Sequence, residues 1–82
     1  MLSFLADERR LVGIKQCTKA VKEGHAEVAY LANGVAPDIA DPFRRLCEKC
    51  GVSLIPVATK KELGELCHID VEASVAVVLK QN

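Results

Sequence analysis

The stretch of sequence that decides the fold class is Val75-Ala76-Val77-Val78-Leu79. The run is almost continuously apolar and rich in β-branched valine, so it favours a β-strand, which we predict over 74–79. A strand without a polar side is typical of a central strand that is covered on both faces. The stretch therefore predicts a sheet with helices packed above and below it.

Strand patterns and helix patterns alternate along the rest of the chain. Further strands are predicted at 10–13, 27–32 and 52–57, and helices at 15–23, from Asp41 to about Cys50 and from Thr59 to about Cys67. A short helix is also predicted at 3–8. Because helices that alternate with strands pack back onto the sheet, the sequence predicts an α/β fold, a three-layer α/β/α sandwich. We expect residues 1–82 to form a single domain.

Local signals predict where two helices begin and where one strand lies in the sheet. Asp41 followed by Pro42 is typical of an N-cap and the first helical residue. The capping box from Thr59 to Glu62 predicts the start of the last helix. Pro56 has no N–H to donate to a strand ladder, so the strand that contains it is predicted to lie at an edge.

The composition limits the class of protein. Half of the 82 residues are hydrophobic, so a core is feasible without a disulfide or a metal ion. The 11 basic residues balance the 11 acidic residues, whereas a protein that binds nucleic acid by charge alone would be basic. Two Phe and one Tyr are too few for a platform on which single-stranded bases stack.

The sequence also predicts where the protein resides. No apolar run approaches the roughly 18 residues of a membrane-spanning helix. The first five residues are too short for the core of a signal peptide, and charged residues follow at once. We therefore expect a cytoplasmic protein without a membrane partner, whose four cysteines are reduced thiols.

Cys47 and Cys50 form a C-x-x-C motif, which occurs in zinc sites and in redox dithiols. A redox pair lies at a helix N-terminus, whereas this pair falls in a last helical turn, where the helix dipole disfavours a thiolate. A zinc site needs about four ligands, and Cys17 and Cys67 lie on other predicted elements. The predicted apolar stripe of the helix consists of Phe43, Leu46, Cys47 and Cys50. We interpret the cysteines as buried structural thiols and predict neither a metal nor a cofactor.

The candidate functional residues begin in the run Gly13-Ile14-Lys15-Gln16-Cys17-Thr18-Lys19. Lys15, Gln16 and Lys19 would form one cluster at the start of a helix. No side-chain oxygen precedes them to cap the helix, so its first N–H groups are available to an anion such as a phosphate. Lys and Gln also suit the edges of bases. The alternative is an amphipathic helix whose charged face contacts only water.

Four stretches together resemble one known family. The first is Gly13-x-Lys15-Gln16-x-x-Lys19-Ala20, and the second is the segment 28–41 with Asp38, together with the adjoining Pro42. The third is Lys60-x-x-Leu63-Gly64, and the fourth is Ile69-Asp70-Val71-x-Ala73-x-x-Ala76-Val77. The chain is similar to the kink-turn RNA-binding family typified by the archaeal large-subunit ribosomal protein L7Ae, and most similar to its short bacterial members from Gram-positive genomes. The resemblance covers the chain from about Leu11 to Leu79.

The resemblance implies a mixed four-stranded sheet and a non-enzymatic protein that binds a sharply bent RNA built on tandem sheared G·A pairs. It implies that Lys15, Gln16 and Lys19, at the start of the helix after the first strand, contact the guanines, and that Ile69 and Val71 cover an extruded base. The site predicted on this basis is Gly13, Lys15, Gln16, Lys19, Lys22, Ile69, Asp70, Val71 and Glu72. The expected partner of the monomer is a kink-turn in ribosomal RNA or in a messenger leader RNA.

Four residues depart from the family pattern, and they keep other functions open. Lys15-Gln16 stands where archaeal and eukaryotic members have Asn-Glu, and His68 stands where glycine is common. Glu72 puts a negative charge into the loop that would face RNA. An alternative is therefore a protein-interaction module whose RNA site has decayed. A third possibility is a small thiol or zinc protein that uses the four cysteines.

Overall fold

The computed structural model describes residues 9–80, which form four strands and three helices. The elements are β1 (Arg10–Val12), α1 (Ile14–Lys22), β2 (Ala26–Ala32), α2 (Pro37–Cys50), β3 (Ser53–Val57), α3 (Lys60–Leu66) and β4 (Val75–Leu79). The helix predicted at 3–8 lies outside the described residues. Within residues 9–80, no helix has the length and apolar character needed to cross a membrane.

The strands form one mixed sheet in the order β1-β4-β2-β3. β4 pairs antiparallel with both β1 and β2, whereas β2 and β3 are parallel. β4 is thus internal and its first four residues are buried, which confirms the prediction from its apolar sequence. β3 is an edge strand of the sheet formed by the described residues, as Pro56 predicted.

The core has two parts, one on each face of the sheet. Side chains alternate along β4, so Val75 and Val77 pack with α1 and α2, whereas Ala76 and Val78 pack with α3. On α1 the buried residues are Cys17, Ala20 and Val21, which is the inner face that the helical periodicity predicts. Helices therefore cover both faces, and the predicted three-layer α/β/α sandwich is confirmed.

The start of α3 agrees with its capping box. The Thr59 hydroxyl accepts a hydrogen bond from the Glu62 N–H at 2.9 Å, which satisfies one of the free donors at the helix end. Leu63 follows on the inner face and is fully buried, while Leu66 is half-buried at the margin of the same cluster. The cap thus fixes the beginning of the helix that carries the segment before β4.

The start predicted for α2 is wrong. The helix begins at Pro37 after Ala36, and Pro42 lies inside it rather than at its first position. Pro37 occupies the first turn, where a missing N–H costs nothing, and Asp38 places a negative charge near the positive end of the helix dipole. Asp41, the predicted cap, instead accepts a 3.0 Å hydrogen bond from Arg44.

The prediction that all four cysteines are buried is wrong for one of them. All four are free thiols within residues 9–80; Cys17, Cys47 and Cys67 are buried, whereas Cys50 is exposed. Cys50 is the last residue of α2, as predicted, and Gly51 follows as the C-cap in the left-handed conformation. Of the predicted apolar stripe, Phe43 and Cys47 therefore lie in the core, whereas Cys50 lies beyond it.

Candidate nucleic-acid interface

One edge of the sheet collects the C-terminal ends of β1 and β2 and the N-terminal end of β4, because β4 runs antiparallel to both. The Gly13 N–H donates a long hydrogen bond of 3.4 Å to the Val75 carbonyl. The Ala32 N–H donates to the Ser74 carbonyl at 2.9 Å. The start of α1 thus lies beside the segment that precedes β4, although the two are far apart in sequence. These are the two segments that contain the predicted site.

Gly13 is the residue before α1, and its backbone has φ 106° and ψ 141°. This is a conformation in which glycine meets little strain, and a Cβ here would find no described atom within 4 Å. No side chain of the described residues caps the helix, and its first turn contains no acidic residue. The beginning of α1 is therefore open to an approaching anion and has the dipole to attract one.

The polar side chains of the predicted site on α1 are all exposed, but they are spread along the whole length of the helix. Lys15, Lys19 and Lys22 lie on one side of the helix at i, i+4 and i+7. Lys15 and Gln16 belong to the first turn, close to the edge described above, whereas Lys22 ends the helix. Lys22 borders a groove that is also lined by Asp38 of α2, so an acidic side chain lies near this end of the basic face.

The segment before β4, residues 67–74 and here called the β4 loop, is attached to α3 near both of its ends. The Ile69 N–H donates to the Gly64 carbonyl, and the Ala73 N–H donates to the Lys60 carbonyl, each at 3.1 Å. The middle of the β4 loop, residues 70–72, is exposed to solvent between these two attachments. Its position therefore depends directly on α3.

The four site residues predicted in the β4 loop differ in exposure. Ile69 is half-buried and packs against the core cluster beneath α3. Val71 is 69 % exposed, which is unusual for a large apolar side chain. Asp70 and Glu72, its sequence neighbours, are also exposed. The implied apolar contact with a base is therefore available chiefly at Val71, while Ile69 holds the loop to the core.

Residues of α3 outside the predicted site also border the β4 loop. Lys61 and Glu65 line a groove with the exposed part of the loop. Gly64 lies against the loop backbone, where an added Cβ would overlap the Val71 carbonyl oxygen. A glycine inside a helical pattern is the sequence signal for such a close approach, but the partner atom becomes identifiable only in the fold.

His68 has a backbone φ of 58°, in the left-handed region. It follows Cys67, the C-cap of α3, and its N–H donates to the Glu65 carbonyl at 3.1 Å. This conformation gives a physical reason for the glycine that is common here in the resembled family, because glycine adopts it without strain. His68 thus terminates α3 and turns the chain into the β4 loop.

The buried cysteines have environments that favour the neutral thiol. Burial raises the pKa of Cys17 to about 12, and the thiols of Cys67 and Cys47 add to the shift. Its thiol lies 3.5 Å from the Leu11 carbonyl oxygen, to which it donates. Burial also raises the pKa of Cys47 and of Cys67. The part of the chain that the structure describes holds no group of three His, Cys, Asp or Glu residues placed to bind a metal ion.

Comparison with known proteins decides the family. The model of the ribosomal protein L7Ae/L30e/S12e/Gadd45 family matches residues 3–82. The chain belongs to this family. The match extends over both segments of the candidate interface and over the whole sheet.

Two bacterial relatives are similar in sequence over most of the chain. A protein of Caldanaerobacter subterraneus subsp. tengcongensis is 35% identical over 68 residues, 83% of each chain. A protein of a Geobacillus species is 31% identical over 72 residues, 88% of each chain. Both are named RNA-binding proteins. These matches confirm the predicted resemblance to short bacterial members of the family.

Solved structures share the fold. The 15.5 kD RNA-binding protein of Giardia lamblia superposes with a TM-score of 0.88 at 26% identity, over 99% of this chain and 69% of its own. A Bacillus halodurans protein of unknown function gives a TM-score of 0.86 at 22% identity, over 96% and 83%. The first confirms the predicted fold class within the family. The relatives whose names state an activity are RNA-binding proteins, which supports the prediction of a non-enzymatic protein.

Proposed function

We propose that this protein binds RNA, and that its target is a kink-turn with tandem sheared G·A pairs. The observation that carries the proposal is the meeting of the uncapped start of α1 with the exposed β4 loop at one edge of the sheet. The names of the relatives support RNA as the ligand. The zero net charge supports recognition of a shape rather than general attachment to phosphates.

In this proposal α1 contacts the paired bases of the bend and their phosphates. Lys15 and Lys19 donate to phosphate oxygens or to the O6 and N7 acceptors of guanine, and Gln16 donates and accepts at a base edge. Gly13 lets the RNA backbone come close to the first N–H groups of the helix. Lys22, at the far end of α1, adds positive charge at the margin of the site.

The β4 loop contacts the unpaired part of the bend. RNA is recognised mainly at irregular elements, where unstacked bases expose their faces and edges. Val71 offers an apolar surface to an extruded base, supported from below by Ile69. Because only a bent RNA reaches α1 and the β4 loop together, the protein binds the bent form more tightly and increases its population.

The test is a titration of the protein into a fluorescently end-labelled kink-turn RNA at near-physiological salt and magnesium. The control RNA replaces the sheared G·A pairs with G·C pairs. We expect tight binding to the first RNA and weak binding to the second. Equal weak binding to both would mean electrostatic attachment only and would refute recognition of the bend.

The proposal extends to the state of the protein and to its natural target. Both segments of the site lie on one chain, so a monomer is sufficient. We propose that this monomer acts in the cytoplasm on ribosomal RNA or on a messenger leader RNA. The molar mass of the complex with a single kink-turn, measured by light scattering, distinguishes one bound copy from two.

A second candidate function is a protein-interaction module on the same fold. The exposed carboxylates of Asp70 and Glu72 beside Val71 favour it, because they repel phosphates in the loop that RNA would contact. A protein partner that is retained after nuclease treatment, together with a lack of direct affinity for RNA, would support this function. The titration described above decides between the two candidates.

A further inference from the structure

We propose that Gly64 is a positioning residue for RNA recognition. Because it has no side chain, the backbone of the β4 loop can pack closely against α3, in the position that presents Val71 to an unstacked base. The inference rests on the proposed function. It assigns a role in specificity to a residue of α3 that does not itself contact RNA.

The contact between α3 and the loop is made of backbone atoms. A Cβ built on Gly64 would overlap the Val71 carbonyl oxygen and would lie 3.2 Å from the carbonyl carbon of the same residue and 3.4 Å from the Glu72 Cα. Backbone cannot rotate away as the end of a long side chain can. A methyl group at this position therefore has to displace the middle of the loop.

The displacement is confined to the part of the loop that carries Val71. Hydrogen bonds hold Ile69 to the Gly64 carbonyl and Ala73 to the Lys60 carbonyl, each at 3.1 Å. Between these points, residues 70–72 are exposed to solvent, while the Val71 carbonyl and the Glu72 Cα lie against Gly64. An added methyl group thus moves Val71 outward, while Ile69 and Ala73 keep their places.

The start of α1 does not depend on this contact. Gly13 is joined to the sheet through Val75, and the inner face of α1 packs on the opposite side of the sheet from α3. Substitution of Gly64 should therefore weaken the contact with the unstacked base and leave the contacts of Lys15 and Gln16 with the paired bases intact. This separation makes the role testable.

The test compares wild type, Gly64→Ala, Val71→Ala and the double variant on two kink-turn RNAs, one intact and one abasic at the extruded position. On the intact RNA we expect Gly64→Ala to raise Kd about 10-fold, the scale of losing one small apolar contact. The double variant should be no weaker than the weaker single variant, because both changes remove the same contact. On the abasic RNA, wild type and Gly64→Ala should bind equally.

The matched control is Gly51→Ala at the end of α2. Gly51 has a φ of 71° and no described atom within 4 Å of its Cβ position, so alanine strains the backbone without displacing the β4 loop. We expect this variant to lose stability but to keep wild-type affinity below its unfolding temperature. Affinity that falls with stability in both variants would overturn the positioning role.

The outcomes separate this inference from the proposed function. If wild type does not distinguish the kink-turn from its G·C control, the proposed function itself fails. If wild type does distinguish them but Gly64→Ala binds the intact RNA as wild type does, only the role of Gly64 is refuted. Should Gly64→Ala not fold by circular dichroism, a glycine inserted after Glu72 displaces Val71 instead. That insertion should weaken binding to the intact RNA only, and equal weakening on both RNAs would refute the proposal.

Discussion

Alkaline pH should destabilise this protein through a thiol in the helix that carries the candidate site. Cys17 lies on the buried side of α1, between Gln16 and Thr18, and burial raises its pKa from 9.0 to about 12. Below pH 9 the thiol is protonated in the folded and the unfolded chain alike. Above pH 9 the unfolded chain releases this proton while the folded chain retains it up to about pH 12. The free energy of unfolding must therefore fall as the pH rises through this range.

The size of the effect follows from the number of protons released. One proton corresponds to about 1.4 kcal/mol per pH unit in the range between the two pKa values. Between pH 8 and pH 10 we expect Cys17 to account for a loss of about 1.4 kcal/mol, or roughly 5–10 °C in the melting temperature of a domain of this size. Cys47, Cys67 and Tyr30 also have raised pKa values and act in the same direction.

The assay is urea unfolding of wild type and of Cys17→Ala at pH 8 and pH 10, with a reductant present. The variant is less stable than wild type at pH 8 because it loses buried volume. Between pH 8 and pH 10, however, its free energy of unfolding should fall by about 1.4 kcal/mol less than that of wild type. Cys50→Ala, at an exposed position, is the control and should keep nearly the slope of wild type. If wild type and Cys17→Ala show the same pH dependence, the assignment of the buried thiol is refuted.

Further substitutions test the site and the helix that supports it. Gln16→Ala and Lys19→Ala should each weaken kink-turn binding by about 1–3 kcal/mol in the titration, whereas Lys49→Ala, at the far end of α2, removes the same charge and should have little effect. Thr59→Ala removes the 2.9 Å cap of α3 and should destabilise the protein by about 1 kcal/mol, measured by urea unfolding; an unchanged midpoint would refute the role of the cap. His68→Val should cost about 1–2 kcal/mol because a β-branched residue is strained at φ 58°, and His68→Gly should cost less in the same assay.

The sequence was sufficient to predict the sheet and its layers because the decisive signals are local. The apolar run of β4 requires cover on both faces, and Pro56 is tolerated only where a strand lacks a neighbour on one side. The capping box of α3 is equally local, since its donor and acceptor lie three residues apart. Such features are readable because a few neighbouring side chains determine them.

Two predictions were wrong, the start of α2 and the burial of Cys50, because local signals did not determine either feature. Pro37 and Pro42 both suit the first turn of a helix, and sequence alone favoured Asp41-Pro42 because an aspartate precedes the proline. The fold selects Pro37, and the helix accommodates Pro42 in its interior. Cys50 fits the periodicity of the apolar stripe, but its burial depends on how far the sheet extends beneath α2. That extent is a property of the tertiary structure.

The candidate site shows the same division. Lys15, Gln16 and Lys19 were identifiable because a helix start without a cap is visible in the sequence, and the family resemblance indicated the β4 loop. The adjacency of the two segments depends on the strand order, in which β4 pairs with β1. The role of Gly64 depends on a loop carbonyl that no sequence pattern places. These remaining features are long-range and could not be predicted from neighbouring residues.

The central position of β4 also determines how the protein can fold. β1 pairs with β4 and not with any strand near it in sequence, so the sheet closes only after a large loop of chain has been ordered. Such non-local pairing slows folding, and β1 and β2 have no direct ladder to hold them together beforehand. The backbone hydrogen bond from Gly13 to Val75 requires the same pairing, because it joins the residue after β1 to the first residue of β4. A chain in which β4 has not yet joined the sheet therefore also lacks a joined binding edge, and affinity for RNA should be recovered together with the formation of the sheet during refolding.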